Sequence, residues 1–131
     1  MANLEEDFWE SSRHCKLVSK LKKPAADIHS SLDSQKCDLL HMAIGICTEA
    51  GELLDAVKKH VFYEKQLDEN NVIEELGDLE FYMEGLRQCL SIDRAEILED
   101  NFNKLSKRYN EMRFTNKAAV TRADKQEDDG A

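Results

Sequence analysis

Two stretches of this chain repeat their apolar residues at alternating intervals of four and three: Leu39, Ala43, Ile46, Ala50, Leu53 and Val57, then Val72, Leu76, Leu79, Met83, Leu86 and Leu90. A strand turns successive side chains to opposite faces and cannot bury such a set together, whereas an α-helix gathers it into one stripe. The spacing predicts helices over about 34–61 and 68–90, each with a seam suited to packing against another helix. Asp33 or Ser34 can cap the earlier helix and Asp68 the later one. Gly45 and Gly51 lie inside the earlier helix, where each weakens helix propensity by about 1 kcal/mol relative to Ala. A helix or ligand approaching closely would justify that cost, and simple tolerance is the plain alternative.

The flanking segments continue the pattern. From Leu4 to about Lys23 an imperfect stripe of Phe8, Cys15, Val18 and Leu21 fits a first helix, which Pro24 ends or closely follows. The polar segment 25–32 reads as a connection. Asp93, with Glu96 three residues on, has the form of a capping box, and Leu98, Phe102, Leu105, Tyr109 and Met112 make the seam of a last helix. After Phe114 the periodicity fades, and 125–131, Lys-Gln-Glu-Asp-Asp-Gly-Ala, is polar and acidic enough to be a disordered tail. One proline and five glycines among 131 residues agree with a mainly helical chain. The expectation is one all-α domain over 1–124, an antiparallel four-helix bundle, followed by the tail.

Charge and cysteine usage narrow the functions. A net charge of −9 opposes a broad nucleic-acid surface, which needs Lys and Arg to replace phosphate counterions. No apolar run approaches the roughly 20 residues of a membrane span. Cys15, Cys37, Cys47 and Cys89 are far apart, and no secretory segment precedes them, so they read as reduced thiols in a cytoplasmic protein. Neither they nor His14, His29, His41 and His60 have zinc-site spacing.

The chemistry lies in the two central helices. Glu49 and Glu52 are three apart, and after 22 intervening residues Glu75 and Asp78 are three apart. Residues so spaced share a helix face, and all four flank the apolar seams. Facing antiparallel helices would bring the four carboxylates together, a costly cluster unless a hard cation such as Mg²⁺ neutralises it and shares its coordination with a substrate's phosphates. Ordinary border charges are the plain alternative. On the last helix Asn101, Lys104 and Arg108 share a face beside the seam, as a site for the other side of a polyphosphate would require, or as a solvated basic face would.

Taken in order, these residues resemble the all-α nucleoside triphosphate pyrophosphohydrolases of the MazG type, whose relatives include dimeric dUTPases, dCTP pyrophosphatases and phosphoribosyl-ATP pyrophosphohydrolase. The likeness runs over about 40–122 and includes Thr48-Glu49-Ala-Gly-Glu52, Glu74-Glu75-Leu-Gly-Asp78 and Asn101-Phe-Asn-Lys104. The segment from Phe114 to Asp124 is similar to the tail of short phage and bacterial members. The resemblance implies that Glu49, Glu52, Glu75 and Asp78 bind Mg²⁺, with Mn²⁺ as a substitute, and that Glu52 or Glu75 takes a proton from water. Glu74 makes the second motif ambiguous by one residue and stands outside the ligand set. Asn101, Lys104, Arg108 and Tyr109 would contact a nucleoside triphosphate, expected to be a deoxynucleotide, giving a monophosphate and pyrophosphate. The family also implies a homodimer or homotetramer, in the host cytoplasm if phage-encoded. Leu40, Cys47, Leu54 and Val61 lie outside the seam of the 34–61 helix and agree with self-association.

Base contacts are the least legible part: Phe8, Trp9, His41, Phe62 and Tyr63 are aromatic or hydrogen-bonding groups near the site in sequence, with Trp9 and His41 the leading candidates. Three alternatives stand beside the main reading. A di-iron bundle needs Glu-x-x-His on two helices, which the chain lacks. A non-catalytic bundle would use its acidic stripe to dock a basic partner. Phosphoribosyl-ATP hydrolysis would use the same site on another nucleotide.

Overall fold

The computed structural model describes residues 4–125, with side chains from Ser12 onward. Among them there are helices and no strands: α1 (Leu4–Leu21), α2 (Ala25–Ser31), α3 (Ser34–Tyr63), α4 (Glu69–Leu90), α5 (Arg94–Arg108) and α6 (Asn116–Thr121), followed by a 3₁₀ turn over Ala123–Lys125. The all-α expectation holds. The four anticipated helices are α1, α3, α4 and α5, and the two short ones correct the sequence reading.

The chain divides into two compact units, Met1–Cys37 and Asp38–Ala131. In the first, segment 25–32 is helical where a connection was expected. The Pro24 carbonyl accepts the N–H groups of Asp27 and Ile28, both at 3.1 Å, and the φ of −59° at Pro24 suits entry into a helix. The proline follows the end of α1 at Leu21 by three residues and opens α2. Trp9 lies on α1 at a position whose side chain is outside the described residues, and of the tail predicted over 125–131 only Lys125 is described, where it ends the 3₁₀ turn instead of opening a disordered segment.

The second unit is built on an antiparallel pair. His41 faces Tyr82, Met42 faces Gly85 and Gly45 faces Tyr82, so α3 and α4 run past each other in a steady register. Each expected cap forms. Asp33 Oδ1 accepts the Lys36 N–H at 2.8 Å, Asp68 Oδ1 that of Asn71 at 3.1 Å, and Asp93 Oδ1 that of Ala95 at 2.6 Å. The cap at Asp93 reaches Ala95 and not Glu96, so the predicted capping-box pairing is not the one formed.

The last expected helix stops four residues early, at Arg108 in place of Met112. The Met112 backbone turns into the left-handed region at φ 50°, and its N–H returns to the Tyr109 carbonyl at 2.7 Å. What holds the chain here is far in sequence. Arg108 donates from Nε and Nη2 to Asp124, at 2.7 and 2.8 Å, and the Asp124 side chain is only 1% exposed. Thr115 caps α6 through the Ala118 N–H at 3.1 Å, giving regular structure where periodicity alone had faded.

Hydrogen bonds from Arg108 pull the Asp124 carboxyl down to about 2, from about 3.9 for a free aspartate. A carboxyl depressed in the folded state contributes stability that is present above its unfolded value and lost as pH falls through its folded one. We therefore expect the link between α5 and the 3₁₀ turn to survive at pH 4 and to fail close to pH 2. The side-chain carboxyl resonance of Asp124 measures this directly, and a midpoint near 4 would contradict the pairing.

Candidate metal centre

The register of α3 against α4 brings three of the four predicted carboxylates together. Glu49, Glu52 and Glu75 each present an oxygen within 4.8 Å of the others. Glu75 is buried, 6% exposed, Glu49 is half-buried and Glu52 is exposed. Asp78 lies outside that set of three, although its charge acts on Glu49. Glu74 is exposed and also outside it.

Local hydrogen bonds fix the buried member. Asn71 Nδ2 donates to Glu75 Oε1 at 2.5 Å from one turn upstream, and the Asn71 backbone is itself tied to Asp68, so the cap of α4 orients the carboxylate. Sequence reading passed over Asn71, although its spacing of four before Glu75 is the signal that would have found it. On α3 the Thr48 hydroxyl lies 2.9 Å from the Gly45 carbonyl and 3.3 Å from Glu49 Oε1, and its single proton serves both.

Repulsion in the centre is not relieved by the protein's own cations. Loss of surrounding water raises the Glu49 carboxyl above its ordinary value, and the charges of Glu52, Asp78 and Glu75 add to this against the opposing Thr48 contact. Among the described residues no Lys or Arg forms an ion pair with Glu49, Glu52 or Glu75. The nearest lysines in sequence, Lys58 and Lys59, are bound to Asp55 at 2.6 and 2.7 Å, which holds that carboxyl at about 2. A buried carboxylate beside two others, all hard oxygen donors without histidine or thiolate, is a donor set that could hold a divalent metal ion.

The other predicted residues are more scattered. Asn101 and Lys104 are exposed on α5, with no side-chain partner among the described residues. Arg108 is taken up by Asp124. Tyr109 follows α5 and packs on Phe114, ring centres 6.0 Å apart. His41 is on the face of α3 that carries Gly45 and Glu49, with its ring edge-on to Tyr82 at 6.1 Å. Tyr82, four residues past Asp78, was missed, and its helical spacing from Asp78 was the available signal.

An all-α protein with an acidic, oxygen-only centre between two antiparallel helices is thus the class that fold and site define. A family model for the MazG nucleotide pyrophosphohydrolase domain matches residues 38–113, more than half of the chain, and the chain belongs to that family. It is accordingly a nucleotide pyrophosphohydrolase, a hydrolase acting on phosphoric anhydrides. The match begins where the second compact unit begins. Comparisons with curated proteins and with solved structures found no match. Among the described residues no helix is long and apolar enough to cross a membrane.

Proposed function

We propose that this protein is a Mg²⁺-dependent enzyme converting a deoxynucleoside triphosphate to its monophosphate and pyrophosphate. The observation that carries this reading is the unneutralised trio of Glu49, Glu52 and Glu75 within 4.8 Å of one another, one of them buried. The choice of a deoxynucleotide rests on the likeness of the segment from Phe114 to Asp124 to short phage and bacterial members.

Bound by these carboxylates, with Asp78 at the edge of the set, Mg²⁺ would neutralise phosphate charge as a Lewis acid. Glu75, held by Asn71, is a fixed ligand. Glu52 is exposed and its carboxylate has no hydrogen-bond partner among the described residues, which leaves it available to take the proton of an attacking water. The water oxygen bonds to the α-phosphorus, the bond from that phosphorus to the bridging oxygen breaks, and pyrophosphate leaves. Lys104 and Asn101 are free to bind the departing phosphates, Lys104 as a point charge and Asn101 as an amide donor. Tyr82 and His41 offer the base an aromatic and hydrogen-bonding surface on the same helix faces.

The working form in this reading is a homodimer or homotetramer. Leu40, Leu54, Val61 and Ile73 are 52, 67, 59 and 67% exposed, much apolar area for two helices to leave in water. A panel of ordinary deoxy- and ribonucleoside triphosphates with Mg²⁺, scored for pyrophosphate release, tests the activity. Light scattering on the eluting protein tests the assembly. If no triphosphate yields pyrophosphate, and Mg²⁺ leaves the melting temperature unchanged, the acidic stripe is a docking surface and the proposal fails.

A further inference from the structure

A second charged feature lies in the second unit, in the segment from the end of α5 through α6. A cavity of about 410 Å³ opens between the end of α5 and α6, and Lys107, Arg108, Arg113 and Lys117 line it against a single carboxylate, Glu111. In a chain of net charge −9 this concentration of cations is against the general balance. None of these residues belongs to the carboxylate centre.

The four cations are not equivalent. Arg108 is neutralised by the buried Asp124, and the pair forms part of the cavity's frame by tying α5 to the 3₁₀ turn. Lys107, Arg113 and Lys117 are exposed and have no side-chain hydrogen bond or ion pair among the described residues. Against Glu111 they leave the lining with an excess of two positive charges. The Thr115 hydroxyl caps α6 through the Ala118 N–H at the same rim. The volume falls within the roughly 300–1,000 Å³ of small-molecule sites, and concave walls strengthen the field of converging like charges. An extended nucleic-acid strand would need a basic track, and the overall acidity works against one.

We propose that this cavity is an anion site for a small phosphate-bearing molecule, separate from the carboxylate centre and loaded without a metal. The shared chemistry is the phosphoryl group, and inorganic pyrophosphate and a nucleoside monophosphate are its two sources. The inference does not depend on the hydrolytic reading, since it concerns binding by cations with the divalent metal removed.

Calorimetric titration of the full chain with pyrophosphate in EDTA tests it, because without a cation the carboxylate centre repels anions. Saturable binding is expected, weakening as salt is raised and falling at least tenfold in the double variant Arg113→Glu, Lys117→Glu. Both side chains are exposed, and circular dichroism confirms that the variant is folded. Glu52→Gln should bind pyrophosphate as the parent does. A parallel titration with deoxyadenosine monophosphate assigns the source: equal or tighter binding points to a nucleotide, weaker binding to free pyrophosphate. Absence of saturable binding, unchanged affinity in the double variant, loss of binding in Glu52→Gln, or tighter binding of a single-stranded oligonucleotide would each overturn the proposal.

Discussion

Replacing Glu52 by Gln is expected to lower kcat by about 10²- to 10⁴-fold, the usual contribution of a positioned general base, while the helical content stays that of the parent. Glu52 is the exposed member of a trio whose oxygens lie within 4.8 Å of one another, and the amide keeps the size of the side chain but cannot accept a proton. Stability should move the other way, since removing one of several repelling carboxylates relieves repulsion. The metal-free variant should therefore melt at the same or a higher temperature than the parent, and it should gain less stability from Mg²⁺. Turnover at the parental rate in a folded variant would remove Glu52 from the centre's chemistry. A lowered melting temperature without Mg²⁺ would mean that the trio is not repulsive.

The second large effect is on stability. Gly45→Ala is expected to destabilise the fold by about 1–3 kcal/mol, the range for forcing atoms into a packed interface, despite the roughly 1 kcal/mol that alanine gains in helix propensity. A Cβ at position 45 would fall inside the space of the Tyr82 ring, and a rigid ring can yield only if the helices part. Parting them here also separates Glu49, one turn along α3, from Glu75, so activity should fall with stability. Two other glycines serve as controls. At Gly51 a Cβ would meet nothing within 4 Å, and Gly51→Ala should raise stability by up to about 1 kcal/mol. At Gly85 the obstacle is the flexible Met42 side chain, which can move, so Gly85→Ala should cost less than Gly45→Ala. Chemical denaturation of the three variants reads the order. A Gly45→Ala protein as stable as Gly51→Ala would mean that α3 and α4 are not in close contact.

The glycines also show how far a sequence can be read. Both Gly45 and Gly51 stood out as costly inside a helix, yet nothing local distinguished them. Only the position of Tyr82, 37 residues away, makes one of them a requirement of packing and leaves the other open. The same holds at the end of α5. The seam through Tyr109 and Met112 continued the helical intervals, but the Arg108 pairing with Asp124, 16 residues on, accompanies an earlier stop and takes up a cation that spacing alone had offered to the substrate.

By itself the sequence determined the helical class, the caps at Asp68 and Asp93, a choice between Asp33 and Ser34 for the cap of α3, and the shared faces of Glu49 with Glu52 and of Glu75 with Asp78. Each of these depends on residues within one or two turns, where helix geometry is the same in every protein. The tertiary structure decided which carboxylates meet, which one is buried, and which cations remain free to meet an anion. Those outcomes depend on the register between α3 and α4 and on the folding-back of the segment after α5, and both join residues whose separation along the chain carries no fixed distance in space.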